Sequence, residues 1–247
     1  MVFDGTTLLI GLALLIAAFV KGTTGLGFPL IATPTVALIL DIRTAVTILI
    51  IPNIVMDIAQ VFRGSFPAEI LRRFVWLILL TIVGVFLGTS LLVVLPLWVL
   101  NLSLGIMVLT FVTSNLLRLN FQIPPHLEGV LSPVVGVIGG FLNGMTNAAG
   151  PALAIYLYSL KLPKKEFIKS IATIFIVTKV TQLVAVSTWN LFTPSRILLS
   201  LEVTLFILAG FYAGLKTQDR VNQKTFNRGL LILLSIIGVT LVVRSLI

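Results

Sequence analysis

Cysteine is absent from this chain, histidine occurs once, at position 126, and only 8 of 247 residues are acidic. Without cysteine there is no disulfide and no thiolate metal site, and scattered carboxylates with one histidine leave little for hydrolytic or metal chemistry. The sequence reads as neither enzyme nor metalloprotein, and no cofactor is expected. No Walker-type phosphate loop occurs, so ATP is not a direct energy source. Charge of either sign is scarce, at 10% of residues against 58% hydrophobic, and the mean hydropathy is +1.16. Such a chain belongs in a bilayer. The net charge of +9 would suggest nucleic acid in a soluble protein, but the basic residues lie in short gaps between apolar runs, with no basic stripe among aromatics. Asp4 stands where a signal peptide would carry a basic residue, so the N-terminal apolar run reads as mature structure.

What the chain does have is a repeat. A shift of 122 residues lays FVKGTTGLGFP, from Phe19 to Pro29, over FLNGMTNAAGP, from Phe141 to Pro151, and pairs Leu38 with Leu160, Gln60 with Gln182 and Gly88 with Gly210. The chain therefore divides into related halves, 1–122 and 123–247. Each half reads as a Gly/Thr/Asn-rich break between two short helical arms, followed by three longer apolar runs. The expected hairpins cover 6–40, with arms 6–20 and 30–40, and 127–161, with arms 127–142 and 151–161. The expected spans are 44–62, 74–95 and 97–117, then 170–189, 197–215 and 229–247.

The arms could return to their own side or cross as one broken helix, and the basic loops discriminate. If they return, Arg63, Arg72, Arg73, Arg118, Lys161, Lys164, Lys165, Lys169, Lys216, Arg220, Lys224 and Arg228 share one face against Arg43, Arg196 and Arg244, a 12:3 split. If they cross, the split falls to 9:6. Positive charge collects on the cytoplasmic side of membrane proteins, so the larger asymmetry favours returning hairpins. The expectation is an all-α integral membrane protein of two inverted repeats, with six full spans and both termini outside the cytoplasm. Trp76, Trp98 and Trp189 fall near span ends, as interfacial anchors should.

Lys21, Asp57 and Lys179 are the obvious ionisable side chains left at membrane depth, where a charge costs about 2.5–3.5 kcal/mol on the lenient insertion scale. Asp57 and Lys179 are separated by the repeat offset, so they are expected at matching depths, as partners. Asn53, Asp57 and Gln60 make one polar helical stripe, and Lys179 with Gln182 makes its mate. With all three charges ionised the buried sum is +1, which an entering anion would neutralise. In the breaks, Gly22, Gly25, Gly27, Gly144 and Gly150 permit tight turns, and Thr23, Thr24, Thr146, Asn143 and Asn147 offer hydrogen bonds. Pro29 and Pro151 suit the first turn of a return helix, whose N-terminus would aim free N–H groups at the space between the tips. Plainer roles stand beside these: packing for the glycines, snorkelling for Lys21, a structural ion pair for Asp57 with Lys179, and interhelical glue for Gln60 and Gln182. The pairs Gly84/Gly88, Gly136/Gly140 and Gly210/Gly214 read as packing alone. The loop KLPKKEFIK, 161–169, reads as a topology determinant.

The duplicated motif, Lys21-Gly22 with Gly25, Gly27 and Pro29, and Asn143-Gly144 with Thr146, Asn147, Gly150 and Pro151, resembles that of the sulfite exporter TauE/SafE family of permeases. The resemblance runs over nearly the whole chain. It implies a secondary transporter of a small anion, sulfite or another sulfur-containing oxyanion or organosulfonate, in a cell inner membrane. An anion channel on the same scaffold is the alternative. The expected partners are the anionic substrate and the lipid bilayer, not nucleic acid. Protons, through Asp57, and a homo-oligomer are left open.

Overall fold

The computed structural model describes residues 5–62, 68–117, 122–148, 150–217 and 223–246, and every regular element among them is helical. In chain order these are α1 (Gly5–Thr24), α2 (Phe28–Ile39), α3 (Ile42–Ile48), α4 (Ile50–Val61), α5 (Ala68–Arg73), α6 (Val75–Val94), α7 (Leu97–Leu116), α8 (Pro125–Thr146), α9 (Gly150–Ser159), α10 (Lys164–Thr188), α11 (Pro194–Thr217) and α12 (Gln223–Leu246). Asp4, Arg63, Arg118 and Arg220 lie outside the described residues, so the expectations placed on them have no structural counterpart here.

Among the described residues, six segments are long and apolar enough to cross a membrane: Ile42–Val61, Val75–Val94, Leu97–Leu116, His126–Thr146, Lys164–Thr188 and Pro194–Thr217. Five coincide with expected spans. The sixth is α8, expected only as a short arm, while the described apolar stretch of α12 is the shorter Leu231–Leu246. Exposed apolar side chains such as Phe86, Leu87, Leu205, Phe206, Ile232 and Ile236 give these helices outer faces suited to lipid.

The arms differ from expectation because the helix persists through the first half of each motif. Lys21, Gly22, Thr23 and Thr24 remain in α1, and the left-handed backbone begins only at Gly25 (φ 81°) and Gly27 (φ 99°). In the second motif α8 continues to Thr146, and Asn147 takes the left-handed position with φ 66°. Both long helices stop in the same way: Gly25 N–H donates to the Lys21 carbonyl at 2.8 Å, and Asn147 N–H to the Asn143 carbonyl at 2.8 Å. The return arms α2 and α9, of 12 and 10 residues, rise only about 18 and 15 Å. Neither would cross a hydrocarbon core of roughly 30 Å.

The expected span 44–62 is interrupted at Leu49, between α3 and α4. Pro52 has no N–H to offer the Ile48 carbonyl four residues earlier, and the Ser200 hydroxyl donates to that carbonyl instead at 2.7 Å. The corresponding helix of the second half has Ile174 at that place and runs unbroken, starting at Lys164 rather than 170, directly after Pro163.

Helix directions follow from side-chain pairs. Arg196 donates to Thr44 at 2.9 Å and Ser200 to Ile48, so α11 runs parallel to α3. A Cβ on Gly210 would meet the Leu15 carbonyl, and one on Gly214 the Phe19 carbonyl, so α1 is also parallel to α11. Gly136 sits against Leu77, Gly140 against Thr81 and Gly144 against Val85, so α8 is parallel to α6. Arg43 donates to the carbonyls of Leu92, Val93 and Leu95, at 2.9, 2.9 and 2.8 Å, which places the end of α6 beside the start of α3. Hence α1 leaves the end of the molecule that α8 approaches. Each hairpin returns to its own end: Ile123 N–H donates to the Ser159 carbonyl at 3.2 Å, closing α8 on α9. At the other end, the start of α1 and the end of α2 both lie with the starts of α3 and α11.

These contacts also pair glycines differently from the expected offset. Gly84 lies against the Val137 carbonyl as Gly210 lies against that of Leu15, and Gly88 against that of Phe141 as Gly214 against that of Phe19. By these contacts Gly88 matches Gly214, where the ungapped offset pairs it with Gly210. The offset grows from 122 to 126 after the glutamines, a slip of four residues, or about one helical turn.

Candidate functional site

The two tips meet inside the protein. Asn147 donates to the Thr33 hydroxyl of α2 at 3.1 Å, and Gly150 faces the Leu30 side chain. Met145 and Ala148 pack with the apolar cluster around the first hairpin, while Leu26 packs with the cluster around α9 and α10. Each tip is thus inserted among residues of the opposite half.

Around this meeting point lies a closed polar group. Lys21, Asn53, Asp57, Asn147 and Gln182 are 0% exposed, Lys179 and Asn143 1%, and Gln60 5%, so water does not screen their interactions. Because α1 stays helical to Thr24, it carries the Lys21 ammonium over α4, where it meets Asp57 Oδ1 at 2.7 Å and Asn53 Oδ1 at 2.9 Å. The ammonium also lies 5.6 Å from the centroid of the Phe175 ring on α10. Lys179 is held differently. Its ammonium donates to Asn143 Oδ1 at 2.6 Å, to Gln182 Oε1 at 2.9 Å and to Asn147 Oδ1. Three acceptors match the three N–H bonds of a protonated amine. The direct ionic partner of Asp57 is therefore Lys21, where Lys179 was expected, and Lys179 is met by neutral oxygens.

The glutamines repeat one arrangement in both halves. Gln60 donates to the Lys21 carbonyl at 2.9 Å and Gln182 to the Asn143 carbonyl at 2.9 Å. Each thereby ties a span to the last turn of its own hairpin's long arm, with the receiving carbonyls 122 positions apart. Gln182 is further fixed by a 3.1 Å bond from Asn143 Nδ2, whereas Gln60 Oε1 is buried without a partner.

Other expected site residues make their contacts within their own helix or with the surrounding helices. A Cβ on Gly22 would lie 2.4 Å from the Phe211 carbonyl, and one on Gly144 2.3 Å from that of Val85, so both glycines are keyed into neighbouring helices. Thr23 donates to the Val20 carbonyl at 2.9 Å, and Thr24 to the same carbonyl at 2.9 Å while accepting from Leu26 N–H at 3.1 Å. Thr146 donates to the Leu142 carbonyl at 2.9 Å. Gly25 and Gly27 shape the first tip. Asn53, Thr33 and Phe175 join the cluster without having been singled out as site residues. Asn53 was visible in the polar stripe of α4, and Phe175 stands at its repeat position, while Thr33 is signalled only as a lone hydroxyl in an apolar return arm.

A model of the sulfite exporter TauE/SafE family matches residues 9–241. The chain belongs to that family. Neither a curated protein nor a solved structure matches it. Membership in the TauE/SafE family and the apolar helices together make this a multi-pass membrane protein of a sulfite exporter type, for which a small anionic substrate and a bilayer are the implied partners. Both halves of the TauE/SafE match contribute to the buried polar group, since Lys21 and Asp57 come from the first and Asn143, Asn147 and Lys179 from the second.

Proposed function

We propose that this protein is a secondary transporter of a small anion, sulfite or another sulfur-containing oxyanion or organosulfonate. The substrate binds between the two hairpin tips near the middle of the membrane, and access alternates between two inverted repeats. The observation that carries the reading is the meeting of the tips around two fully buried ammonium groups, only one of which has a carboxylate partner within ion-pairing distance among the described residues. Opposed directions of α1 and α8, the matched ties of Gln60 and Gln182, and the matched glycine contacts support inverted repeats. α2 begins with no side-chain cap at Gly27, so its first-turn N–H groups add a positive end near the tips.

Under this reading the tip residues Asn143 and Asn147 and the ammonium groups of Lys21 and Lys179 receive the anion, Gln60 and Gln182 position the tips, and Asp57 balances Lys21. Burial of the whole group supports a carrier over a channel, because a channel needs a continuous wet path past these side chains. This reading puts the protein in the inner membrane with both termini outside the cytoplasm, which the 12:3 split of basic residues supports. The test is uptake of radiolabelled sulfite into proteoliposomes. Saturable uptake is expected, and Lys179→Gln should reduce it by about tenfold or more, since the unbalanced buried charge is lost. Uptake no faster than in protein-free liposomes, for sulfite and for small sulfonates alike, would reject the transporter.

A further inference from the structure

We infer that the buried site selects a substrate carrying a single negative charge, and that Asp57 is the residue that sets this preference. The inference rests on the permease reading and deepens it. Three ionisable side chains share the closed group, and none has more than 1% of its surface exposed. Lys21 and Asp57 cancel at 2.7 Å, and Lys179, wrapped by the side-chain oxygens of Asn143, Asn147 and Gln182, has no described carboxylate within ion-pairing distance. With all three side chains ionised, the sum of the closed site is +1. A monoanion brings it to zero. A dianion leaves −1 in a region that neither water nor counterions reach, and an uncompensated buried charge is the costly case.

The groups facing Asp57 are few. Lys21 reaches it from α1, and Lys179 is the charged group on the facing side of α10. On α3 the Arg43 side chain is turned to the end of α6, and on α11 Arg196 is turned to Leu191 and Thr44. Glu202 on α11 sits near the level of Ile50, by the Ser200–Ile48 contact, about two helical turns from Asp57. A dianion is accommodated only if a solvent proton moves onto an Asp57 oxygen, which frees the Lys21 charge and raises the sum to +2. Of the two oxygens, Oδ1 meets Lys21, and Oδ2 has no hydrogen-bond partner among the described residues and is the one open to that proton.

The experiment compares methanesulfonate with sulfate, two tetrahedral ions of similar size whose charges do not change across accessible pH, by calorimetric titration of the purified protein. The wild type should bind methanesulfonate about tenfold or more tightly than sulfate at pH 8. Sulfate binding should strengthen as pH falls, and methanesulfonate binding should not. Asp57→Asn raises the sum to +2 and should invert the preference. The double variant Lys21→Gln with Asp57→Asn keeps +1 and should restore it, which also covers the case in which the single variant does not fold. Equal affinities in the wild type, an unchanged ratio in folded Asp57→Asn, or a sulfate preference in the double variant would overturn the assignment while leaving the permease standing. Failure of the wild type to bind methanesulfonate, sulfate or sulfite would remove the permease reading, and this one with it.

Discussion

At Asn147 two demands fall on one residue. Its backbone must adopt a left-handed conformation to end α8, and its side chain must both receive the Lys179 ammonium and donate to Thr33. Asparagine is among the residues that tolerate such a backbone best after glycine, and it alone of those two brings an amide. Asn147→Gly and Asn147→Ala should therefore separate the demands. Both lose the side-chain contacts, and only alanine adds backbone strain, on the order of 1 kcal/mol. Thermal unfolding should place the alanine variant below the glycine variant, while both lose anion binding to a similar degree. Equal midpoints would show that the left-handed backbone is not a constraint. At this scale the polar residues were legible in the sequence, because a buried Lys or Asp stands out against apolar neighbours. Their pairing was not. Asp57 and Lys179 share a repeat position, but which amine reaches the carboxylate depends on where α1 stops, and the extra turn through Thr24 decides it for Lys21.

Between elements, backbone-to-backbone approach sets the geometry. Gly144 lets α8 touch α6 so closely that a Cβ there would stand 2.3 Å from a carbonyl oxygen, whereas a Cβ at Gly129, on the same helix, meets nothing within 4 Å. Gly144→Ala should cost on the order of 1–3 kcal/mol by overpacking. Gly129→Ala should be neutral, or stabilising by up to about 1 kcal/mol through helix propensity. Comparable unfolding midpoints for the two variants would contradict the close approach. Five of the long apolar elements were readable from length and composition alone, while α8 was expected only as a short arm. Their ends were harder, for local reasons: Gly22 looks like a helix breaker yet sits in a helix contact, and Pro52 interrupts a run whose apolar pattern never falters. The pairing of Gly88 with Gly214 was hidden because an insertion of one turn preserves the buried face of a helix while defeating an ungapped comparison.

For the molecule as a whole, the guanidinium groups on the face bearing Arg43, Arg196 and Arg244 cap backbone carbonyls and keep their charge. Arg43 closes the end of α6, Arg196 binds the Leu191 carbonyl at 2.8 Å, and Arg244 the Leu38 carbonyl at 3.1 Å. On the opposite face Arg73 binds Glu128 at 2.8 Å and Glu166 at 3.4 Å. The orientation therefore rests on the 12:3 count of basic residues, and a reporter fused after Ile247 should be active only outside the cytoplasm. A cytoplasmic reporter would reverse the proposed orientation. The glycine contacts and the glutamine ties carry one more consequence. α1 is keyed to α11 and yoked to α4, while α8 is keyed to α6 and yoked to α10, so each of the two assemblies borrows a helix from the other half of the gene product. The units that rock against each other during a transport cycle would then be these interleaved trios rather than the first and last halves of the polypeptide, and α4 sliding on α10 would be the hinge line along which the pathway opens.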